Sequence, residues 1–333
     1  CDAVWPGWGF VSEDFEFVEK CEARGITFIG PSSQAMKSLG DKIASKYLAA
    51  SCQVPMAKWI EISEDMNEET LRLEANRIGF PLMVKASAGG GGRGIRKVKH
   101  QDELLSLVNT VKEEVAKVFG QGGLFMEACI VNARHIEIQA VADSHGNSYA
   151  LGVRDCSIQR KNQKIIEETP SPILPADIES HLCAVSAELV KKANYVGVGT
   201  VEFLYQPSTG LCSFLEVNSR LQVEHTITEM VTDTDLVKAQ IDIACGKPFL
   251  PPKHLKNGHA IELRLNAENP EKNFQPSPGK IEMLNFPSGP GIRIDSGVMQ
   301  GMDISPCFDS MIAKIIVWAP TRKQAISRAK RAC

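Results

Sequence analysis

Residues 85–94 have the composition of a loop that binds phosphate groups. They follow a short apolar stretch, residues 80–84, and five of the ten are glycine. Because a run with so few side chains costs conformational entropy to order, it indicates a ligand or another specific purpose. Its bare amides can approach phosphate oxygens, and Lys85 and Arg93 add positive charge. The spacing matches neither the P-loop nor the dinucleotide-binding motif, and a flexible linker is the alternative.

Residues 216–224 form a second pattern, whose polar side chains could bind a metal ion. The even-numbered positions are Glu, Asn, Arg, Gln and Glu, and most odd-numbered positions are apolar. In an extended chain this alternation places the five polar side chains on one face. A hairpin at residues 205–210 would bring Glu202 alongside, so that two carboxylates and an amide oxygen offer hard ligands for Mg²⁺ or Mn²⁺. The alternative is a solvated face of an antiparallel sheet.

Two further stretches are rich in polar side chains. Residues 154–164 combine Arg, Lys, Gln and Asn, which suits an anionic ligand with many oxygens, although a charged surface loop is the alternative. His135, Glu137 and Gln139 alternate with apolar residues, which predicts a strand with one polar face. A lone histidine on such a face is more often structural than a ligand. Lys42 precedes a predicted helix and is equally consistent with a solvated lysine.

Composition narrows the class of protein. The chain has 333 residues, enough for two or three domains, and its hydrophobic content of 43% and charged content of 23% are ordinary for a globular protein. A net charge of −3 provides no basic field for nucleic acid. The ten cysteines include no C-x-x-C pair, which predicts reduced thiols and an intracellular protein. A cytoplasmic location is expected, with an organellar one as the alternative. No apolar run reaches the length of a membrane span, so no membrane partner is expected.

The two ends predict that this chain is an internal part of a longer polypeptide. It begins at Cys1, directly before a strand-like segment, and it stops at Cys333 within a helical pattern that starts near Thr321. That pattern has neither a cap nor a breaker at its end. The absence of a leader peptide therefore carries no meaning.

The hydrophobic periodicity predicts a mixture of helices and strands. The first fifty residues predict β-α-β-α, whereas the second half predicts antiparallel strands, so the class is α+β with an α/β start. Helices are predicted at residues 12–24, 33–51, 68–78, 101–119, 176–195 and 233–245. Strands are predicted at residues 27–29, 82–85, 124–127, 135–142, 199–204, 212–217, 260–266 and 312–317.

Taken together, these motifs resemble the biotin carboxylase component of biotin-dependent carboxylases, which are members of the ATP-grasp superfamily. The resemblance extends through almost the whole chain, and the number of ordered matches makes it specific. The matching segments are residues 7–10, 28–31, 40–42, 85–94, 134–139, 154–157, 216–220, 222–225, 262–266 and 308–311.

The resemblance implies an ATP-grasp fold in three parts. These are a truncated N-terminal α/β domain at residues 1–54, a mobile lid domain at 55–130 and a truncated C-terminal domain with an antiparallel sheet at 131–333. The ATP-grasp span covers about residues 46–243. The implied reaction is ATP-dependent carboxylation of biotin by bicarbonate through carboxyphosphate, which supplies an acyl-CoA carboxylase or a related enzyme.

The resemblance also implies the residues that bind ATP and metal. Glu202, Glu216 and Asn218 match the ligands of Mg²⁺ or Mn²⁺. Asn162 stands where many biotin carboxylases have histidine; it can donate a hydrogen bond to a nucleotide oxygen but does not titrate near neutrality. The implied ATP-binding residues are Lys42, Lys85, Gly89, Gly90, Gly91, Gly92, Glu127, Ile130, His135, Gln159 and Asn162.

Catalytic roles follow from the same resemblance. Glu224 matches the base that deprotonates bicarbonate, and Arg264 matches the residue that stabilises the biotin enolate. The bicarbonate-binding set is Lys164, Arg220, Gln222 and the amide of Val223. Lys164 and Arg220 therefore count among the catalytic residues as well, since the fork of an arginine fits a planar anion.

Partners and rival functions complete the expectations. The resemblance implies a biotin carboxyl carrier domain, a carboxyltransferase and a homo-oligomer, with biotin as a carrier-bound substrate. Another ATP-grasp ligase is one alternative, but it has no reason to carry Arg220, Gln222, Glu224 and Arg264 together. A non-catalytic ATP-binding or regulatory module is the other alternative, although every charged group that the mechanism needs is present.

Overall fold

Helices and strands alternate along the chain in the computed structural model, which describes residues 1–87, 94–119, 122–253 and 256–333. The helices are α1 Phe15–Glu22, α2 Ser33–Gly40, α3 Lys42–Ser51, α4 Glu68–Ile78, α5 Leu104–Phe119, α6 Ala176–Lys192, α7 His225–Thr232, α8 Leu236–Ala244 and α9 Arg322–Ala332. The first strands are β1 Ala3–Val4, β2 Thr27–Phe28, β3 Trp59–Ile62, β4 Leu82–Ala86, β5 Ile95–Val98, β6 Leu124–Ala128, β7 Arg134–Ala142, β8 Ser148–Arg160 and β9 Gln163–Thr169. The later strands are β10 Gly197–Gln206, β11 Leu211–Asn218, β12 His259–Asn266, β13 Glu268–Asn269, β14 Gln275–Pro276, β15 Gly279–Lys280, β16 Ile292–Ser296, β17 Asp303–Ile304 and β18 Met311–Ala319.

The described residues form two compact units, each assembled from several stretches of chain. The first unit comprises Cys1–Ala150, Leu174–Gln222 and Val237–Phe249. The second unit comprises Leu151–Ile173, Val223–Leu236 and Leu250–Cys333.

The first unit contains two groups of antiparallel strands and a small parallel pair. Four strands in the order β3-β6-β4-β5 form a sheet, and β11, β10 and β7 pair in that order. Apolar side chains of α4 and α5 pack against the four-stranded sheet, with Val84, Met126 and Val111 fully buried. The short β1 and β2 are parallel, and α1 and α2 enclose their core. The predicted order of strand, helix, strand and helix in the first fifty residues is observed, except that the last helix is divided into α2 and α3.

The second unit is built on β9, β12, β18 and β16, in that order, with the end of β8 beside β9. Side chains of β12 alternate between two covered faces. Ile261 and Leu263 pack with α9, whereas Ala260 packs with Ile227 and Val231 of α7. The even-numbered residues of β12 therefore lie on the face that α7 covers.

Two predicted elements differ in the structure. The single helix expected at residues 33–51 is wrong, because Asp41 has an extended backbone that ends α2 and caps α3. The extended chain expected at residues 216–224 is wrong beyond Asn218, where β11 ends; Glu224 is already the N-cap of α7. In addition, most of residues 154–164 belong to a hairpin of β8 and β9 rather than to an open loop.

Candidate active site

Two carboxylates lie side by side on β10 and β11 in the first unit. Glu202 and Glu216 are register partners across these strands, as the sequence predicted. The amide of Asn218 donates to Glu202 Oε1 over 2.8 Å, and the amide of Gln222 donates to the same oxygen over 2.8 Å. Side-chain amides thus hold the buried Glu202 carboxylate in one orientation.

A third strand adds further potential ligands beside this pair. His135 Nε2 on β7 lies 3.1 Å from Glu202 Oε2 and 3.4 Å from Glu137 Oε1, and ligand atoms of these three residues lie within 4.8 Å of one another. Burial opposes charge on the His135 ring, but hydrogen bonds to the carboxylates of Glu137 and Glu202 raise its pKa to about 10. Together with Glu216, these carboxylates are hard donors, which fit Mg²⁺ or Mn²⁺.

Lys42 occupies the first position of α3 because Asp41 caps that helix. The Asp41 carboxylate accepts hydrogen bonds from the amides of Ile43 and Ala44, at 3.0 and 2.8 Å. Lys42 Nζ lies 3.4 Å from Glu216 Oε2. The cap therefore places a lysine beside one of the two paired carboxylates.

Lys85 lies at the end of β4, where it contacts a carboxylate that a second lysine also binds. Glu127 on β6 accepts from Lys85 Nζ at 2.5 Å and from Lys46 Nζ at 2.7 Å. Lys46 is fully buried, and its ammonium lies 5.4 Å from the ring centroids of both Trp59 and Phe125. Burial opposes the charge on Glu127, but the two lysines hold the pKa of this carboxyl below its ordinary value.

Arg220 lies just after β11, close to the paired carboxylates. Its Nε donates to Glu13 Oε2 over 2.9 Å, and one of its terminal nitrogens is 3.5 Å from Asn218 Oδ1. The guanidinium thus belongs to the same group of side chains as the predicted metal ligands.

The second unit brings together three predicted catalytic residues, with Lys164 and Arg264 in contact with the carboxylate of Glu224. Glu224 is 2% exposed; Lys164 Nζ donates to its Oε1 at 2.7 Å, and Arg264 donates to its Oε2 at 3.0 Å. Arg264 Nε also donates to Glu167 Oε1 at 2.7 Å. Each oxygen of Glu224 therefore contacts a separate cation.

Two more carboxyls are buried behind this group. Glu167 on β9 and Glu262 on β12 are register partners, and neither is exposed. Thr226 donates to Glu262 Oε2, while Lys314 Nζ lies 3.9 Å from Glu262 and donates to the carbonyl of Val223 at 2.7 Å. Burial raises the pKa of both carboxyls, that of Glu262 to about 7, and the charge of Glu262 raises the pKa of Glu167 further.

The remaining predicted residues occupy varied positions. Gln159 lies on β8 and donates to a main-chain carbonyl of the same strand. Asn162 forms the two-residue turn between β8 and β9 together with Lys161, and both have positive φ, which explains an asparagine there. Ile130 follows β6 with a half-buried side chain. Residues 89–92 lie outside the described residues.

Several residues of these groups were absent from the predicted site. Lys46, Glu13, Glu167 and Glu262 all contact or adjoin predicted site residues. Glu262 gave one usable signal, since it is a charged residue between apolar residues of a strand pattern, whereas Glu167 lies in a largely polar strand. Lys46 gave none, because a lysine in a helix is normally solvated.

Comparison with known proteins identifies the class and then the family. Residues 41–251 match the family model of the carbamoyl-phosphate synthase L chain ATP-binding domain, so the chain contains an ATP-binding domain of that type. Residues 1–36 match the biotin carboxylase N-terminal domain, and residues 262–333 match its C-terminal domain. The chain belongs to the biotin carboxylase family and is an ATP-dependent carboxylase, as the sequence predicted.

Curated relatives support this assignment over the full chain. Biotin carboxylase 1 of Bacillus subtilis is 45% identical over 99% of this chain and 74% of its own length. The alpha subunit of mitochondrial methylcrotonoyl-CoA carboxylase from Mus musculus is 41% identical over 98% of this chain, which covers 46% of that subunit.

Solved structures confirm the ATP-grasp fold. The biotin carboxylase domain dimer of Hydrogenobacter thermophilus 2-oxoglutarate carboxylase, in complex with MgADP, ADP and bicarbonate, superposes with a TM-score of 0.91 at 41% identity, covering all of this chain and 73% of that one. Biotin carboxylase from Campylobacter jejuni gives a TM-score of 0.92 at 40% identity, covering all of this chain and 74% of that one. Within the described ranges, no helix combines the length and the apolar character that a membrane crossing requires.

Proposed function

We propose that Glu224 is the base that removes the proton from bicarbonate. The observation that supports this role is the contact of each Glu224 oxygen with a separate cation, Lys164 and Arg264. The two cations hold the carboxylate in a fixed position, and a carboxylate is a group that can accept a proton. The deprotonated bicarbonate oxygen then attacks the γ-phosphorus of ATP, which forms carboxyphosphate and releases ADP.

The bicarbonate anion and the enolate of biotin both require hydrogen-bond donors that stabilise their negative charge. Lys164, Arg220, Gln222 and the amide of Val223 are proposed to bind bicarbonate. Arg264 is proposed to stabilise the enolate of biotin when phosphate released from carboxyphosphate takes the ureido proton. The contact between Arg264 and Glu167 supports this role because it fixes the guanidinium before substrate arrives.

ATP is proposed to bind through the lysines and carboxylates of the first unit. Lys42, Lys85 and the backbone amides of residues 89–92 are proposed to bind phosphate oxygens, and Glu127 is proposed to contact the adenine. Ile130, His135, Gln159 and Asn162 are the further nucleotide contacts. Glu202, Glu216 and Asn218 hold Mg²⁺ or Mn²⁺, which neutralises charge on the triphosphate when bound.

A larger assembly is proposed from the relatives. The mouse relative is named as a subunit of a carboxylase, and the Hydrogenobacter structure is a dimer. We propose a biotin carboxyl carrier domain and a carboxyltransferase as partners, and a homo-oligomeric state. Ten free cysteines support an intracellular, cytoplasmic location. The domain bounds 1–54, 55–130 and 131–333 stay part of this proposal.

Release of ADP tests the proposed reaction. The protein would be supplied with ATP, Mg²⁺, bicarbonate and free biotin, each also omitted in turn. We expect ADP release that requires both bicarbonate and biotin. Tight ATP binding without stimulation by either would instead support a regulatory ATP-binding module.

Replacement of the proposed base gives the most direct prediction. Glu224→Gln keeps the size of the side chain but cannot accept the proton, so we expect at least about a hundredfold loss of ADP release, while ATP binding persists. Turnover and calorimetric ATP binding would both be measured. ATP binding with unchanged turnover in this variant would contradict the assignment of Glu224 as the base.

A further inference from the structure

The Glu167–Glu262 pair is the feature of the second unit that the proposed reaction does not use. Both carboxyls are completely buried, on strands whose side chains face α7. Among the described residues, Glu167 Oε2 and Glu262 Oε1 are buried without a hydrogen-bond partner. An unpartnered buried oxygen is costly, and two of them on register partners need a common explanation.

We propose that Glu167 and Glu262 share one proton and act as a positioning pair that keeps Arg264 directed at Glu224. One proton held between the two carboxyls supplies a partner for both unpaired oxygens at once. The other oxygens are already engaged: Glu167 Oε1 accepts from Arg264, and Glu262 Oε2 accepts from Thr226. The inference rests on the proposed roles of Glu224 and Arg264.

The charges around the pair favour one negative charge over two. The charged or titratable side chains that face this region from neighbouring elements are Arg154, Lys164, Glu224, His225, Arg264, Asp295 and Lys314. Of the cations among them, Lys164 contacts Glu224, and Lys314 lies nearer to Asp295, at 3.7 Å, than to Glu262, at 3.9 Å. Arg264 is shared with Glu224, and Lys314 is shared with Asp295 and the carbonyl of Val223, so two charges on the pair would depend on cations that other groups also contact. Burial, which raises the pKa of both carboxyls, acts in the same direction.

Positioning follows from the contacts of Arg264. Its guanidinium touches Glu167 through Nε and Glu224 through a terminal nitrogen, so the Glu167 carboxylate sets the direction in which the fork points. If both carboxyls were charged, their repulsion would separate Glu167 from Glu262, and Arg264 would move together with Glu167. The shared proton thus preserves the contact between Glu167 and Arg264, which directs Arg264 at Glu224.

Infrared spectroscopy of the whole protein in D₂O tests the shared proton without reference to activity. At pH 7 we expect the carbonyl band of a protonated carboxyl, which shifts when glutamate is labelled with ¹³C. The band should be lost in Glu262→Gln, whose amide donates to an ionised Glu167, and retained in Glu168→Gln. Glu168 is the matched control, because it is adjacent on β9 but contacts His259 and Arg322 on the α9 face. Absence of the band in the wild-type protein would overturn the proposal.

The pH profile of turnover tests the positioning role. For each protein the turnover rate at pH 9 would be divided by its rate at pH 7. We expect this ratio to be at least about threefold higher in Glu262→Gln than in the wild-type protein, because the variant has no shared proton to lose as pH rises. Glu167→Gln should lower kcat/KM for biotin about tenfold, a factor that corresponds to ~1.4 kcal/mol. A profile for Glu262→Gln identical to that of Glu168→Gln would overturn the positioning role. If the wild-type protein shows no biotin-dependent turnover, the proposed function fails, whereas the infrared band still decides the shared proton.

Discussion

At the level of single residues, Lys46 is the least expected member of the site. It is buried in α3 between two aromatic rings and shares Glu127 with Lys85. Burial lowers the pKa of Lys46, whereas the adjacent Glu127 carboxylate acts in the opposite direction. Because Glu127 contacts both lysines, the proposed movement of Lys85 toward phosphate would leave Lys46 in contact with this carboxylate.

Replacement of Lys46 by methionine is predicted to lower both stability and ATP affinity. Among the described residues, the variant leaves Glu127 with Lys85 as its one remaining cation, so we expect the free energy of unfolding to fall by ~2 kcal/mol. ATP affinity should fall as well, because Lys85 is then needed by Glu127. Denaturant unfolding and calorimetry measure the two effects.

Lys58→Met is the matched control for this replacement. Lys58 is exposed and donates only to the main-chain carbonyl of Arg77 among its described contacts. We expect the loss of Lys58 to change the free energy of unfolding and the ATP affinity little. Equal effects of the two replacements would contradict the role given to Lys46.

At the level of elements, the break between α2 and α3 determines where Lys42 lies. Had residues 33–51 formed one helix, as the periodicity predicted, Lys42 would be an ordinary side chain in the middle of it. The extended backbone of Asp41 instead starts a new helix, and Lys42 occupies its first turn beside Glu216. The cap is thus part of the site.

Asp41→Ala is predicted to weaken ATP binding more than its effect on stability explains. Loss of the cap should cost ~1 kcal/mol of unfolding free energy, since two amides lose their acceptor. Asn67→Ala removes the comparable cap of α4, whose first turn carries no predicted site residue. We expect similar losses of stability but a larger increase in the KM for ATP in Asp41→Ala. Equal KM values would indicate that the cap has a structural role alone.

The sequence predicted most elements and several of the side chains that the structure brings together, because long periodic segments and polar strand faces are local signals. Glu202 and Glu216 were paired correctly, since one tight hairpin sets their register. The end of β11 at Asn218 was missed, because an alternation of polar and apolar residues does not show where a strand ends. The contact of Glu224 with Lys164 and Arg264 joins three separate segments, so no local pattern contains it.

For the whole molecule, the buried carboxyls predict how stability depends on pH. The folded state raises the pKa of Glu262 from about 4.5 to about 7. Between these values the folded protein retains a proton that the unfolded chain has lost, so the stabilisation present below pH 4.5 is lost as pH rises toward 7. We expect Glu262→Gln, which lacks this proton, to gain Tm relative to the wild-type protein from pH 5 to pH 8. A constant difference in Tm, measured by calorimetry, would contradict this assignment.

The packing of Lys46 against Trp59 also gives the molecule an optical reporter. Trp59 is one of four tryptophans in the chain, and a buried cation lies 5.4 Å from its ring. The emission of an indole responds to charge at such short range. If ATP draws Lys85 away from Glu127, as the proposed role of Lys85 requires, the field at Trp59 changes, and intrinsic fluorescence should then follow ATP binding without any added label. A variant that retains Trp59 as its sole tryptophan would isolate that signal.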